Sequence, residues 1–136
     1  MGVAVAVPNG LVAPVIRQAD RLSLGETARA LEDVARRARS GSLSLADMQG
    51  GLMTLTNVGS FGNLLASPIV PMGQIGILGP GVVQRRPMPA ADGIRLGHQC
   101  IVTLVFDRRV FDDFAADRFL GSVVDHLTRQ AAAAPA

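Results

Sequence analysis

The apolar run from Ile101 to Phe106 constrains this chain more than any other stretch. It ends on Asp107-Arg108-Arg109-Val110-Phe111-Asp112-Asp113, and an amphipathic run from Phe114 to Leu127 follows. An unbroken apolar row suits a covered strand, and apolar residues at three- and four-residue spacing suit a helix lying on a core. Charge held between two such segments is either a solvated turn, with carboxylates paired to Arg108, Arg109 or Arg118, or a site. Which of the two it is decides whether the chain does chemistry.

The elements leading up to that stretch can be read in order. Residues 2–7 alternate small and branched apolar side chains and predict a strand. Pro8-Asn9-Gly10 predicts a reversal, and Leu11 to Ile16 a second extended segment that Pro14 makes an edge strand or a non-regular extension. Ser23-Leu24-Gly25-Glu26 has the spacing of a capping box, in which the Ser hydroxyl accepts from an early helix N–H while Glu26 reaches back. Leu24, Ala28, Leu31, Ala35 and Ala38 mark the expected buried stripe, and Gly41 the stop.

Ser44 to Asp47 repeats the capping pattern on one short turn. A strand is expected from Leu52 to Asn57, with Thr54 and Thr56 on one side, and another from Gln74 to Leu78. Val82 to Arg86 extends again, and Ala91-Asp92-Gly93 turns it into a long strand, Ile94 to Phe106. The last helix is expected to bury Ala116, Phe119, Leu120, Val123, Val124 and Leu127. The order predicts an α+β fold, a mixed β-sheet with helices packed on one face, as one domain over residues 1–130 with a flexible alanine-rich tail over 131–136.

Composition narrows the function classes. With 136 residues, no Trp or Tyr and five Phe, the core must be aliphatic. No run is long enough to span a membrane, and the first residues lack the basic start of a signal peptide, so the cytoplasm is the expected compartment. Cys100 is the single cysteine, expected as a buried structural thiol, so an internal disulfide and a multi-cysteine metal site are both ruled out. All thirteen basic residues are Arg, and the net charge is only +2. The cluster Arg36-Arg37-Arg39 is flanked by Glu32 and Asp33, which argues for a solvated helix face and against a nucleic-acid footprint.

Several blocks, in one order, carry a resemblance. They are Val5 to Arg17 (VAVPNGLVAPVIR), Leu22-Ser23-Leu24, Met48-Gln49-Gly50-Gly51, Met53 to Ser60 (MTLTNVGS) and Ala116-Asp117-Arg118-Phe119-Leu120. Over Gly2 to Leu127 the chain resembles the C-terminal half of the catalytic domain of the dihydrolipoamide acyltransferases, core components of 2-oxoacid dehydrogenase complexes. The resemblance implies a chloramphenicol acetyltransferase-like fold from which the N-terminal part of the family domain is missing, as a fragment or as a natural half-domain.

It also implies a reaction, acyl transfer between dihydrolipoamide and coenzyme A, with the lipoyl group as donor, coenzyme A as acceptor and no metal. In the family a His is the general base on the attacking thiol, an Asp fixes local geometry, and a Ser or Thr hydroxyl donates to the oxyanion, at the interface between subunits of a trimer. Carried onto this chain, Thr56 matches the hydroxyl and Asp112 the Asp. The family signature Asp-His-Arg-Val-x-Asp-Gly reads Asp107-Arg108-Arg109-Val110-Phe111-Asp112-Asp113 here, so Arg108 stands at the position of the His and Asp113 at that of the Gly.

A guanidinium stays protonated at any accessible pH and cannot serve as the base. His98, ten residues upstream on the expected long strand, and His126, on the last helix, are not credible replacements within the chain. The resemblance therefore implies either an impaired acyltransferase or a non-catalytic structural or regulatory core subunit that keeps the assembly surface. Its expected partners are copies of itself in a trimer-based assembly or full-length acyltransferase subunits, and a lipoyl domain, with no nucleic acid and no membrane.

Overall fold

The expected long strands do not survive as single strands, because each changes partner midway. In a computed structural model that describes residues 1–133, the segment 2–7 splits into β1 (Gly2–Val3) and β2 (Val5–Val7). β1 pairs in parallel with β4 (Met53–Leu55). At Ala4, whose N–H still donates to Leu55 O over 2.9 Å, the chain leaves that sheet. β2 then folds back on β3 (Gly10–Val12) through Pro8 and Asn9, with Gly10 at a positive φ of 138°.

The segment 94–106 breaks in the same way. β6 (Gln84–Ala90) and β7 (Gly93–Gln99) form a two-stranded ribbon, whereas β8 (Val102–Phe106) belongs to the main sheet. Between them the Cys100 thiol donates to Gly81 O over 3.1 Å, and the Gly81 N–H donates to Ile101 O over 2.8 Å. Cys100 is half-buried, not buried as expected, because it lines this crossing and not a core. A Cβ on Gly81 would overlap the Leu64 carbonyl, and one on Gly59 would overlap the backbone of Gly81. Three backbones meet there at a separation that only glycine permits.

The main sheet has the order β1-β4-β5-β8, with β5 at Gly76–Pro80. β1, β4 and β5 run parallel and β8 runs antiparallel to β5, so the sheet is mixed as expected. Two helices accompany it, α1 (Leu24–Arg39) and α2 (Asp113–Ala133). α2 continues into the segment read as a tail, and residues 134–136 of that segment lie outside the described residues. α1 packs against β2 and α2 against β8.

The capping box of α1 forms as predicted: Ser23 Oγ accepts from Glu26 N, and Glu26 Oε2 accepts from Ser23 N over 2.8 Å. Gly41 ends the helix at a φ of 68°. Of the expected stripe only Ala38 is buried, joined by Val34, while Leu24 is 88% exposed and Leu31 is exposed too. Among the described residues of α2 only Ala116 is buried, and Phe119, Val124 and Leu127 are exposed. Periodicity identified both apolar faces, but nothing in this chain covers most of either.

The core is correspondingly thin. Among the described residues it consists of Val5, Val15, Ile16, Val34, Ala38, Met53, Ile77 and Ala116, with Pro14 and Thr54 buried beside them. Thr54 satisfies its hydroxyl by donating to Gln74 Oε1 over 2.6 Å. No helix among the described residues is long and apolar enough to cross a membrane.

Candidate functional site

The charged stretch after β8 folds as a turn closed from both sides. The Asp107 N–H donates to Ile75 O over 2.9 Å, which extends the β5–β8 pairing by one step. Asp107 O then accepts from Val110 N over 2.9 Å, and the rings of Phe106 and Phe111 stack with centroids 4.9 Å apart. The aromatic pair anchors the two ends of the turn on the apolar side. The polar side is held by charge.

Arg109 wraps back onto Asp107, its guanidinium and its backbone N–H both donating to that carboxylate. Those bonds, the side-chain ones first, hold the Asp107 carboxyl at about 2, well below its usual range. Asp112 Oδ1 accepts from Ala115 N over 2.9 Å and so caps α2. Arg108 donates to Asp113 Oδ2 over 2.7 Å, with both side chains more than half exposed. Of the three Arg partners anticipated for Asp112 and Asp113, only Arg108 is used. Arg118 instead lies over the Phe114 ring, 5.8 Å from its centroid.

Thr56 lies just past the end of β4, its N–H donating to Leu78 O over 2.9 Å. Its hydroxyl has no hydrogen-bond partner among the described residues, in contrast to that of Thr54 two positions earlier. Thr56 lines a cavity of about 420 Å³ between α1, β2 and the loop after β4. Val3, Leu31, Leu55 and Phe61 give that cavity apolar walls, and Asn57, Ser60 and Arg39 are its other polar residues. The loop is stiffened by Asn57 Oδ1, which accepts from Ser60 N over 3.2 Å, and by the glycine crossing at Gly59.

Register decides which of the expected site residues meet. Met53 lies beside Gly76, and Gly76 beside Phe106. Thr56 is three residues beyond Met53 in one direction, and Arg108 is two residues beyond Phe106 in the other, because β8 is antiparallel. At about 3.3 Å per residue they are separated by roughly 16 Å along the strands. One chain therefore brings Arg108 and Asp112 into one turn but keeps Thr56 at the opposite end of the sheet.

The remaining candidates stay apart from both groups. His98 is on the β6–β7 ribbon, paired with Arg85, and so is not on the strand that leads to Arg108. His126 is exposed on α2. No group of three His, Cys, Asp or Glu side chains among the described residues is arranged to hold a metal ion. Arg39, expected only as part of a solvated helix face, lines the Thr56 cavity together with Leu31 and Ala35, at four-residue spacing on α1.

Comparison with known proteins gives this geometry a family. The sequence model described as 2-oxoacid dehydrogenases acyltransferase (catalytic domain) matches residues 1–134. The chain is 39% identical over 126 residues to the dihydrolipoyllysine-residue succinyltransferase component of the 2-oxoglutarate dehydrogenase complex of Bartonella vinsonii subsp. berkhoffii, covering 93% of this chain and 31% of that protein. It is 39% identical over 131 residues to the dihydrolipoyllysine-residue acetyltransferase component of the pyruvate dehydrogenase complex of Corynebacterium glutamicum, covering 93% of this chain and 19% of that one.

Among solved structures, a probable dihydrolipoamide acetyltransferase from Listeria monocytogenes superposes with a TM-score of 0.88 at 32% identity, over 94% of this chain and 55% of that chain. The Azotobacter vinelandii dihydrolipoamide acetyltransferase, in whose catalytic mechanism a serine, a histidine and an asparagine have been investigated, gives 0.86 at 33% identity, over 91% and 51%. The cubic core of a pyruvate dehydrogenase multienzyme complex gives 0.83 at 34% identity, over 91% and 51%. The chain thus spans about a third or less of these curated relatives and about half of the solved domains. Its mixed sheet, its two helices and a family match running nearly end to end agree: the chain belongs to the 2-oxoacid dehydrogenase acyltransferase family, of whose catalytic domain it carries a part.

Proposed function

We propose that this chain supplies part of an acyl-transfer site for exchange between dihydrolipoamide and coenzyme A, and that the site turns over slowly because Arg108 stands where a general base is needed. The observation that carries this reading is the Arg108–Asp113 ion pair. It fixes a permanently protonated guanidinium in the turn after β8, a position at which the reaction needs a group that can take a proton from a thiol. A thiol is the nucleophile most tolerant of losing its base, since a few per cent is already thiolate at neutral pH.

The roles of the residues follow from where they sit. Thr56 offers an unpaired hydroxyl at the wall of a cavity, suited to donating to the oxyanion of a tetrahedral intermediate. Asp112, as the cap of α2, fixes the turn that presents Arg108. Support for pairing these three positions comes from the Azotobacter vinelandii enzyme, where the serine, histidine and asparagine are spaced along the chain by the same intervals as Thr56, Arg108 and Asp112. Because Thr56 and Arg108 lie at opposite ends of one sheet, the reading requires them to meet between two copies. It also requires an oligomeric, trimer-based assembly, formed by this chain alone or with full-length subunits, that is served by a lipoyl domain in the cytoplasm.

Coenzyme A and the lipoyl group would supply the acceptor thiol and the donor thioester. The residues present fit that chemistry in having a hydroxyl donor and apolar walls, and depart from it in lacking the base. Assay of acyl transfer from S-acetyl-dihydrolipoamide to coenzyme A tests the proposal. Slow transfer that disappears in Thr56→Ala supports it. Transfer at background level in both the native chain and Thr56→Ala favours the second reading, a non-catalytic structural or regulatory core subunit. Its motivating observation is the exposed apolar surface of Leu24, Leu31, Phe119, Val124 and Leu127.

A further inference from the structure

The chain has three asparagines, Asn9, Asn57 and Asn63, and only Asn9 is followed by glycine. The side chains of Val58 and Leu64 shield the peptide nitrogen after the other two. Asn57 is also held in place, its Oδ1 accepting from Ser60 N over 3.2 Å. Asn9 is exposed, and its side chain makes no hydrogen bond among the described residues. It sits at the tip of the β2–β3 ribbon, between Val7 and Gly10, which pair across the turn. A Cβ built on Gly10 would meet nothing within 4 Å, so the backbone after Asn9 is open. A ribbon of two three-residue strands is marginal on its own, and this turn opens more readily than the main sheet.

The turn faces the end of α1 across a cavity of about 450 Å³ that Pro8, Asn9, Arg39 and Ser40 help to line, and no Asp or Glu lines it. Arg36 pairs with Asp33, and Arg37 with Asp47 and Asp33, whereas Arg39 has no carboxylate partner among the described residues. A carboxylate formed at position 9 would share its cavity with an unpaired guanidinium.

We propose that Asn9 is a site of spontaneous deamidation, and that the aspartate it yields pairs with Arg39 and ties the β2–β3 turn to the end of α1. The Gly10 peptide nitrogen loses its proton and attacks Asn9 Cγ. The new C–N bond closes a succinimide, the bond from Cγ to the amide nitrogen breaks, and ammonia leaves with the proton. Water then adds to one of the two ring carbonyls and opens the ring to aspartate or to isoaspartate. Aspartate keeps the main-chain length and suits a turn, whereas isoaspartate adds a methylene to the main chain and upsets the Val7–Gly10 pairing. Arg39 lines the Thr56 cavity as well, so the modification bears on the candidate site through one side chain.

The site is tested by incubating the full chain at neutral and at mildly alkaline pH and locating amide-to-acid conversion by peptide mass spectrometry with fragmentation. Asn9 is expected to convert first, and faster at the higher pH because the attacking nitrogen must lose a proton. Asn9→Gln, whose longer side chain disfavours the ring, is expected to stop conversion at that position. An intact Asn9, or loss of Asn57 or Asn63 at the same rate, overturns the site. The pairing is read separately in thermal unfolding. Asn9→Asp is expected to raise the melting temperature by about 1–4 °C, and the same substitution in an Arg39→Gln background to give no rise. No rise in the native background, or an equal rise in both, overturns the pairing with Arg39 and leaves the deamidation site standing.

Discussion

Arg108 and Asp113, which meet in the turn after β8, are bonded to each other over 2.7 Å. Arg108 puts a fixed positive charge at the turn, and Asp113 supplies its counter-charge. The pair is exposed, so it contributes at most about 1 kcal/mol to stability. Its weight falls on chemistry.

Arg108→His is accordingly expected to raise the rate of acyl transfer to coenzyme A by roughly 10²- to 10⁴-fold, the usual worth of a positioned base. Arg108→Ala is expected to change the rate little, since no base is gained. Asp113 would sit beside the new imidazole and favour its protonated form, so Arg108→His/Asp113→Gly should reach its maximal rate at a lower pH than the single variant. Rates for the three variants that are equal within error would sink the argument that the base alone is missing.

Thr54 and Thr56 look equivalent in the sequence and are not. Thr54 is 1% exposed and donates to Gln74, whereas the Thr56 hydroxyl is unpaired at a cavity wall. Thr54→Ala leaves the half-buried Gln74 oxygen without its donor and is expected to cost about 1–3 kcal/mol in chemical denaturation. Thr56→Ala is expected to leave stability within about 0.5 kcal/mol of native. In the Arg108→His background, where the rate is measurable, it should lower transfer by about 10²- to 10³-fold. The reverse pattern would exchange their roles.

How much of this was legible beforehand depends on whether a feature is local. The capping box at Ser23 and Glu26, the reversal at Pro8-Asn9-Gly10 and the stop at Gly41 all depend on neighbouring residues and could be read directly. The breaks at Ala4 and Cys100 could not, because each marks a change of strand partner and the apolar pattern continues across it. Predicted burial failed on α1 and α2 for a related reason. Leu24 and Val124 have the right period for a core face, but the surface that would cover them is not in this chain. The charged turn was legible as a place and as a salt-bridged loop. Its separation from Thr56 was set by the antiparallel register of β8, which no residue announces.

Asp112 is expected to act through geometry. Asp112→Asn keeps an oxygen that can accept from Ala115 N and should preserve both stability and turn structure. Asp112→Ala removes the cap of α2 and should cost about 1 kcal/mol. If transfer in the Arg108→His background falls with Asp112→Ala and survives in Asp112→Asn, the cap is what matters. If both variants fall equally, the carboxylate charge is needed as well.

The joint between α1 and the turn at Leu45–Met48 should give way in acid. Asp47 accepts first from the Ser44 hydroxyl, then from the Ser44 backbone N–H and from Arg37, and these bonds lower its carboxyl from 3.8 to about 2. A carboxyl whose folded value is depressed favours the native state above its unfolded value and loses that contribution as pH falls through the folded one. The melting temperature should therefore be flat above about pH 5 and decline between about pH 4 and pH 2. Asp107, held at about 2 by Arg109, acts in the same window. Asp47→Asn should lower the neutral-pH plateau and shrink the acid decline, and an unchanged decline would assign the acid sensitivity to Asp107.

The uncovered apolar faces lead to an expectation about assembly. Leu24 and Leu31 on α1 and Phe119, Val124 and Leu127 on α2 are exposed, together with Leu52 and Phe61, each at the wall of a cavity that one of the helices also lines. Burying one such side chain contributes about 1.5–3 kcal/mol, so a set of them exceeds what scattered surface leucines require and favours association. The chain is expected to self-associate at micromolar concentration in light scattering. Leu127→Glu with Val124→Glu should shift the distribution toward smaller species if α2 is the contact, and Leu24→Glu with Leu31→Glu if α1 is. Because the Thr56 and Arg108 sites lie at opposite ends of the sheet, the variant that dissociates the assembly should also abolish the activity gained by Arg108→His. A dissociated variant that keeps that activity would show that the two sites need no second copy.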